Sequence, residues 1–432
     1  MNRKEFSRLG EALYHTRLDN GLTILVNPRP GFTRKLAYFA TDFGAIHNHF
    51  TLDGRQVDAP DGVAHFLEHK LFDMPGGRDV MAEFAALGAM PNAFTSHDMT
   101  AYYFSCTDHF PECLDLLLEY VSTPYFTEES VAKEQGIIGQ EIGMDADTPE
   151  NQVFDNMMRI LFRTHPVRIP VLGSVESIAE ITPQTLYDCH RAFYNPANML
   201  LCVVGDVDPE QVEAIARNRV GMLTNPEVTR TRQWPEDMTC VRSYMEKAME
   251  VAMPMFQIGF KCEPFGNGPE AIRMEIIGDL AAEALFGESS ELYLRLYEEG
   301  VIDTAFGGGF ETVEGMAVLT VSGDSEDPER VRQALLDQAR VLARDGLAEG
   351  DFQRMKRSAL GRRIRDLDSF SSTCFRLCAY HFSEYEYFNF PELYQDITAE
   401  EIRQFIARVV TPERCAMSVI LPLSEEDDYE SQ

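Results

Sequence analysis

The amino-acid sequence predicts an α+β fold of two homologous sandwich domains. Three observations favour it: the length of the chain, a gapless match between its two halves, and the same succession of strand-like and helical segments in both. A chain of 432 residues is too long for one comfortable hydrophobic core and fits two or three domains. With 44% hydrophobic and 25% charged residues, the composition is that of an ordinary globular protein.

The internal match joins residues 180–206 to residues 396–422 at a constant offset of 216 residues. In both copies an acidic residue, Ile and Thr precede a helical pattern, so Thr182 and Thr398 are predicted helix N-caps. A proline and then an apolar strand-like run follow in each copy. Helix, proline and strand is a common order of elements, but a gapless match that ends two equal halves favours duplication.

The remaining elements are predicted from hydrophobic periodicity and occur in a similar order in both halves. Strand-like runs open each half, at residues 21–30, 35–45, 253–264 and 315–323. Helical patterns follow them, at residues 61–72, 111–121, 129–144, 269–286 and 326–345. Strands and helices mixed in this way predict a sheet covered by helices in each half.

Domain boundaries follow from the stretch 223–245, which contains two prolines and no clear periodicity. We predict a first domain at 1–225, a linker at 226–245 and a second domain at 246–432.

The charge of the chain excludes several classes of partner. Acidic residues outnumber basic ones by 70 to 38, a formal net charge of −32 that would repel nucleic acid and anionic membrane surfaces. The excess is expected to form a solvated surface, with attraction of cationic peptides as the alternative. No run approaches the roughly 18 to 20 uncharged residues of a membrane span, and no apolar run follows the basic N-terminus, which predicts a cytoplasmic protein.

Cysteine usage agrees with this location. The nine cysteines include no CxxC pair, which argues against a disulfide framework or a cysteine-ligated zinc site. Cys374 and Cys378 lie four apart on a predicted helix, and we expect them to be buried thiols rather than metal ligands.

The segment VAHFLEHKLF, residues 63–72, places ionisable side chains in a helix with almost no polar face. Such a helix is normally buried, where an unpaired charge costs several kcal/mol. His65 and His69 share one helical face, with Glu68 beside them. This inverted H-x-x-E-H order predicts two zinc-binding imidazoles and a glutamate that takes a proton from water. A chance match on a surface helix is the alternative, and the missing polar face disfavours it.

A catalytic zinc needs a third protein ligand, and the helix beginning SVAKEQGIIGQEIG offers one. Its isoleucines Ile137, Ile138 and Ile142 form a predicted apolar stripe on which Glu141 lies, with Glu134 two turns earlier. Two carboxylates on a buried stripe would be costly without a cation. They could instead lie in water at the edge of a narrower stripe, but pairing with the two-histidine site is the more economical interpretation.

Together these residues resemble the insulinase and pitrilysin type of zinc peptidase, an inverzincin family that includes the mitochondrial processing peptidases. Its signature is H-x-x-E-H followed by a distant glutamate ligand, with a second functional glutamate seven residues before that ligand. Here Glu141 lies 72 residues after His69. The resemblance implies that His65, His69 and Glu141 bind one Zn²⁺ ion, that Glu68 is the general base, and that Glu134 supports catalysis.

The resemblance extends along most of the chain. The segment PNAFTSHDMTAYYFS resembles the family's active-site strand, which implies that Asn92 and Ala93 contact an extended peptide substrate. The segments HFLEHKLF, SSELYLRLYEEGVID and GDSEDP resemble a YmfH-like bacterial branch. The fold implied is two homologous, processing-peptidase-like α+β domains that enclose a chamber.

The second half departs from the family pattern. It contains no H-x-x-E-H, so only the first half is expected to hold metal. Arg295 occupies the position of a substrate-holding arginine, but the tyrosine that accompanies it falls on Ile302 or Asp303, and neither side chain is a phenol. Either catalysis is weak, or another subunit supplies the missing donor. The resemblance implies a heterodimer with a related chain as that subunit, or else a homodimer.

The function predicted from the sequence is a zinc-dependent endopeptidase that cleaves peptides or short unfolded segments. One alternative is a non-catalytic peptide-binding or assembly subunit of a hetero-oligomer with a related chain. Another is a zinc hydrolase acting on small molecules. The same nitrogen and oxygen ligands also accept manganese or cobalt.

Overall fold

The structure, a computed structural model, describes residues 1–423. Its strands are β1 (Asn2–Phe6), β2 (Glu11–Arg17), β3 (Thr23–Pro28), β4 (Lys35–Thr41), β5 (His49–Leu52), β6 (Arg55–Asp58), β7 (Met90–Thr95), β8 (Thr100–Cys106), β9 (Met199–Gly205), β10 (Val228–Arg230), β11 (Tyr244–Met249), β12 (Met255–Cys262), β13 (Gly307–Val313), β14 (Met316–Asp324) and β15 (Cys415–Pro422). Its helices are α1 (Val63–Lys70), α2 (Val80–Ala86), α3 (Phe110–Val121), α4 (Glu128–Ala146), α5 (Pro149–Leu161), α6 (Val175–Ala179), α7 (Pro183–Phe193), α8 (Pro209–Val220), α9 (Pro269–Phe286), α10 (Glu291–Glu298), α11 (Pro328–Asp345), α12 (Glu349–Arg365), α13 (Phe370–Phe382), α14 (Phe390–Asp396) and α15 (Ala399–Val409).

The first of two compact units comprises Met1–Ile142, Pro170–Thr231 and Arg363–Phe390. Its main sheet has the order β1-β2-β3-β9-β4-β8-β7, with β9 parallel to β3 and the other pairs antiparallel. Alternate side chains of β4 point to opposite faces. Phe39 joins the hydrophobic core that also contains α1 and α3, whereas Tyr38 faces α13 and hydrogen-bonds its Ser371. Strands β10, β5 and β6 form a separate small sheet.

The second unit comprises Gly143–Ile169, Arg232–Arg362 and, of the described chain, residues 391–423. Its sheet has the order β11-β15-β12-β14-β13, with β11 parallel to β15 and the other pairs antiparallel. Helix α5 packs on β12 and β15, and α9 packs on β13 and β14. Each unit is therefore an α+β sandwich, as predicted.

The internal repeat is reproduced element by element. Helix α7 and strand β9 correspond to α15 and β15 at the predicted offset, and the sheet order β3-β9-β4-β8-β7 matches β11-β15-β12-β14-β13. Thr182 and Thr398 are the N-caps; their hydroxyl oxygens accept hydrogen bonds from the backbone N–H of Thr185 at 3.2 Å and of Glu401 at 3.3 Å. The predicted duplication is confirmed by this shared topology.

One helix from each half of the sequence belongs to the unit that is formed mainly by the other half. Helix α5, from the first half of the sequence, belongs to the second unit, and α13, from the second half, covers β4 and β9 of the first unit. The predicted domain boundaries treat each half as continuous, and the predicted linker contains strand β10 and the start of β11. Within residues 1–423, no helix combines the length and apolar character needed to cross a bilayer.

Glu236, in the stretch predicted to be a linker, is fixed in the second unit by hydrogen bonds to its side chain, which is 6% exposed. Its carboxylate accepts from the backbone N–H of Arg163 at 2.9 Å and of His165 at 2.8 Å, and from Lys261 Nζ at 2.6 Å. The Lys261 side chain is 1% exposed. Burial opposes ionisation of Glu236, but the hydrogen bonds outweigh it and lower its pKa to about 2.

Replacing Glu236 by Ala is expected to destabilise the protein by about 3 to 5 kcal/mol, because Lys261 would remain as a buried charge without its partner. Urea unfolding at pH 7 measures the difference, and Asp237→Ala, at an exposed neighbour, is the control expected to stay within about 0.5 kcal/mol. Because the folded pKa of Glu236 lies below the ordinary value of about 4.3, its contribution is present above that pH and is lost as the pH falls toward 2. Equal effects of the two substitutions would contradict the anchoring role.

Candidate metal centre

Helix α1 carries three of the predicted site residues into the core of the first unit. It begins after Gly62, whose φ of 87° is in the left-handed region that favours glycine. A Cβ at Gly62 would also lie 2.3 Å from the carbonyl oxygen of Leu172, so no side chain fits there. His65 and Glu68 are each 8% exposed. The predicted burial of a helix without a polar face is confirmed.

Two imidazoles and one carboxylate converge beside this helix. His65 Nε2 lies 3.7 Å from Glu141 Oε1, and His69 Nε2 lies 3.7 Å from Glu141 Oε2. One possible ligand atom from each residue lies within 4.8 Å of the other two. Tetrahedral zinc, with bonds of about 2.0 to 2.2 Å, separates its ligand atoms by about 3.3 to 3.6 Å, which is close to the observed spacing. The structure thus brings together the three residues predicted to bind metal.

Helix α4 supplies Glu141 from the border of its buried face. Ile138 is fully buried and Ile142 packs against the core, but Ile137 is 44% exposed. The predicted apolar stripe was therefore too wide, and the prediction that Ile137 belongs to it was wrong. Ile137 precedes Glu141 by one helical turn, so Glu141 shares that exposed border and its side chain is 42% exposed. A metal ligand at this position would remain accessible from solvent.

Glu134 holds His69 in a defined orientation. His69 Nδ1 lies 3.0 Å from Glu134 Oε1, and donation from Nδ1 leaves Nε2 available to a metal. This hydrogen bond raises the pKa of His69. Burial opposes ionisation of Glu134, but the hydrogen bond with His69 and the charge of Lys70 lower its pKa. Lys70 Nζ, on a side chain that is 1% exposed, lies 3.9 Å from Glu134 Oε2.

Replacing Glu134 by Ala is expected to weaken zinc binding by about 10- to 100-fold, because His69 loses the carboxylate that orients its ring. Competition for zinc against a chromophoric chelator measures the affinity. Glu129→Ala, which removes an exposed carboxylate from the same helix, is the matched control. Equal zinc affinities of the two variants would remove Glu134 from the site.

His65 is held neutral, which is the form that binds a metal. Burial, and then the neighbouring His69, lower the pKa of His65 to about 4. Within residues 1–423, its Nδ1 has no hydrogen-bond partner, so the ring has no competing bond that turns Nε2 away from Glu141. An unprotonated imidazole at neutral pH fits the predicted donor set.

Glu68 has a buried carboxylate that interacts electrostatically with His69 and Glu141. Burial raises its pKa, and a hydrogen bond from Thr95 Oγ1 to Glu68 Oε2, at 2.6 Å, acts in the opposite direction. A carboxylate with a raised pKa takes up a proton more readily near neutral pH. Thr95 was not predicted from the sequence. Strand alternation places Thr95 on the same face of β7 as Ala93, but it does not show that this face meets α1.

The residues predicted to contact substrate in the first half lie on β7, an edge strand of the main sheet. The backbone N–H of Ser96 donates to the carbonyl of Met99 at 2.8 Å, and bonding alternates along an antiparallel pair. The N–H and C=O of Ala93 therefore point to the open edge. The backbone N–H of Ala93 donates a hydrogen bond to Oδ1 of the Asn92 side chain at 2.8 Å, so this N–H is already engaged. Contact of either residue with a peptide stays a prediction.

The second unit provides the predicted arginine but no accompanying phenol. Arg295 is exposed on α10, and no residue within 1–423 forms a hydrogen bond or ion pair with its guanidinium. Ile302 is 5% exposed, and Asp303 accepts a hydrogen bond from the backbone N–H of Ala305 at 2.8 Å. Neither side chain can donate as a tyrosine does, and the role of Arg295 stays a prediction.

Two family descriptions match successive parts of the chain. Residues 54–175 match the family described as insulinase (peptidase family M16), and residues 180–359 match the one described as peptidase M16 inactive domain. Over 428 residues the chain is 36% identical to the uncharacterized zinc protease YmfH of Bacillus subtilis (strain 168), covering 97% of this chain and 99% of that protein. The chain belongs to the M16 peptidase family. The predicted family is confirmed, and its relatives' names associate it with zinc.

Solved M16-like structures have the same fold. An M16-like peptidase from Alicyclobacillus acidocaldarius has a TM-score of 0.91 and 30% identity, covering 96% of this chain and 99% of its own. A protease from Helicobacter pylori has a TM-score of 0.82 at 16% identity, covering 95% and 99%, a likeness of fold alone. The predicted two-domain M16-like architecture is confirmed.

Proposed function

We propose that this chain is a zinc-dependent endopeptidase that hydrolyses peptides or short unfolded segments. The convergence of His65, His69 and Glu141 beside the buried carboxylate of Glu68 supports this proposal. Two imidazoles and one carboxylate are a common set of three protein ligands for a catalytic zinc. Such a set leaves the fourth coordination position open for water or substrate. Membership of the M16 family agrees with this chemistry.

His65, His69 and Glu141 would hold one Zn²⁺ ion. When bound, the ion supplies the Lewis acidity that acidifies water and polarises a peptide carbonyl. Glu68 accepts a proton from the attacking water and delivers it to the leaving amine, since a buried carboxylate can act first as base and then as acid. Glu134 keeps His69 in its binding orientation.

Substrate is held as an added strand. An extended peptide pairs with the open edge of β7, where Ala93 offers backbone hydrogen bonds. The side chain of Asn92 must then release the Ala93 N–H that it occupies at 2.8 Å. Arg295, which is exposed on α10, is included in this proposal as a substrate-binding residue.

Metal removal tests the proposal directly. Protein treated with a chelator is expected to lose cleavage of an unbiased peptide library, and one equivalent of zinc is expected to restore it, because no other group in the site can acidify water. Mass spectrometry of the digest measures cleavage, and magnesium in place of zinc is the control expected to fail. Cleavage that persists in metal-free protein, or its absence from zinc-loaded protein, would overturn the proposal.

A second candidate is a peptide-binding or assembly subunit of a hetero-oligomer with a related chain. It is favoured by the buried Ile302 and by Asp303, which stand where the family places a phenol. A related chain could supply that donor in a heterodimer. Purification of the untagged native protein separates the candidates: zinc-loaded chain that cleaves peptides alone supports the enzyme, and cleavage only in the presence of a co-purifying chain supports the subunit.

A further inference from the structure

A cavity of about 440 Å³ lies in the first unit, on the face of the main sheet opposite α1. Its walls include Tyr38, Phe94 and Tyr103 from the sheet, and Phe375 and Arg376 from α13. Three of the four aromatic rings come from neighbouring strands, so the floor is set by the sheet. None of these residues takes part in the metal centre.

The walls of this cavity are largely aromatic. Tyr38 and Tyr103 stack with ring centroids 4.6 Å apart, and Phe94 and Phe375 approach at 5.8 Å. The hydroxyl groups of Tyr38 and Ser371 are hydrogen-bonded at 2.9 Å, which fixes α13 on the sheet. Phe375 is nevertheless 43% exposed, so the cavity presents apolar surface that the protein itself does not cover.

The cavity adjoins the strand edge at which the peptide is proposed to bind. Thr95 of β7 points to α1, where it meets Glu68, and its neighbour Phe94 therefore points to the α13 face. In a strand added to this edge, the residue opposite Phe94 would direct its side chain to the same face, with Cβ atoms about 4.5 to 5.5 Å apart. That side chain would enter the cavity.

The charge at the cavity rim restricts what can enter. Arg376 is half-buried, and no residue within 1–423 forms a hydrogen bond or ion pair with its guanidinium. A planar guanidinium beside aromatic rings favours an aromatic guest, over whose face it can lie, and repels a lysine or arginine side chain.

We propose that this cavity is a specificity pocket that binds an aromatic side chain of the peptide residue opposite Phe94. This proposal rests on one part of the proposed function, namely that a peptide binds as an added strand at the edge of β7. Aromatic rings from β4, β7, β8 and α13 supply the contact surface, and Arg376 also lines the cavity. Phe375 is then a specificity residue, remote from the reacting atoms.

Binding without turnover tests this pocket separately from catalysis. The full-length zinc-loaded Glu68→Gln protein is titrated into fluorescein-labelled alanine-based decapeptides that carry one Phe, one Ala or one Lys at each position in turn, and anisotropy gives Kd. We expect one position at which Phe binds most tightly and Lys least. Phe375→Ala, made in the same background, is expected to weaken the Phe peptide about tenfold and the Ala peptide hardly at all.

Two further variants control for folding and for general loss of aromatic surface. Phe375→Tyr should keep the preference. Phe32→Ala removes an exposed ring that contacts α13 through Phe370, with centroids 5.4 Å apart, but does not line the cavity, and should leave the preference unchanged. Equal affinity for Phe and Ala peptides, or equal effects of Phe375→Ala and Phe32→Ala, would overturn the pocket. If zinc-loaded protein with an intact Glu68 prefers aromatic peptides but hydrolyses none, the pocket proposal stands and the proposed peptidase function fails. If it hydrolyses peptides without that preference, the proposed function stands and the pocket proposal fails.

Discussion

Replacing Glu68 by Gln is expected to lower kcat for peptide hydrolysis by about 10²- to 10⁴-fold while leaving zinc at wild-type stoichiometry. Glutamine has the same length and can still accept the hydrogen bond that Thr95 donates to Glu68. It cannot take a proton from water. Because Glu68 is not among the three converging side chains, its loss should spare metal binding. Steady-state cleavage of an internally quenched fluorescent peptide, together with elemental analysis, measures both quantities.

Two controls make this result specific to proton transfer. Glu129→Gln removes an exposed carboxylate of the first unit and should leave kcat unchanged. Thr95→Val keeps the base but removes the hydrogen bond that positions it, so its effect on kcat should be the smaller one. Wild-type cleavage by Glu68→Gln would exclude Glu68 as the base, and loss of zinc from that variant would reassign it to metal binding.

Much of the fold could be predicted from local features of the sequence. Thr182 and Thr398 were predictable as N-caps because a hydroxyl before a helical pattern has a definite hydrogen-bonding use, and both hydroxyls have that use in the structure. The duplication was predictable because the same caps, prolines and strands recur at one offset. The exchange of α5 and α13 between units could not be predicted. Periodicity shows that a helix has an apolar face, but it does not show which sheet that face will pack against.

The metal centre shows the same limit at the level of side chains. His65 and His69 were paired by helical spacing, and Glu141 was joined to them because a carboxylate near a buried face needs a cation. The stripe that led to Glu141 was nevertheless drawn too wide, since Ile137 is exposed. Thr95 escaped prediction because its contact with Glu68 depends on how β7 passes α1, a tertiary relation that strand alternation alone does not contain.

Removing Glu141 should abolish the stabilisation of the protein by zinc without weakening the metal-free fold. Glu141→Ala deletes one of three converging ligands, so zinc affinity should fall by more than the roughly 10- to 100-fold expected when Glu134 is removed. A metal present at about 100 times its Kd stabilises a folded protein by about 2.7 kcal/mol. Wild-type protein should therefore gain that amount on addition of zinc, and Glu141→Ala should gain almost nothing.

Metal-free unfolding separates lost ligation from damaged structure. The Glu141 side chain is 42% exposed at the border of α4, so its deletion should change the free energy of unfolding of metal-free protein by less than about 0.5 kcal/mol. Gln140→Ala, at the exposed preceding residue, is the matched control and should respond to zinc like the wild type. Urea unfolding of all three proteins, with and without zinc, gives the comparison. A wild-type zinc response of Glu141→Ala would mean that the third ligand is another residue, and the proton-transfer role of Glu68 would then need a different metal geometry.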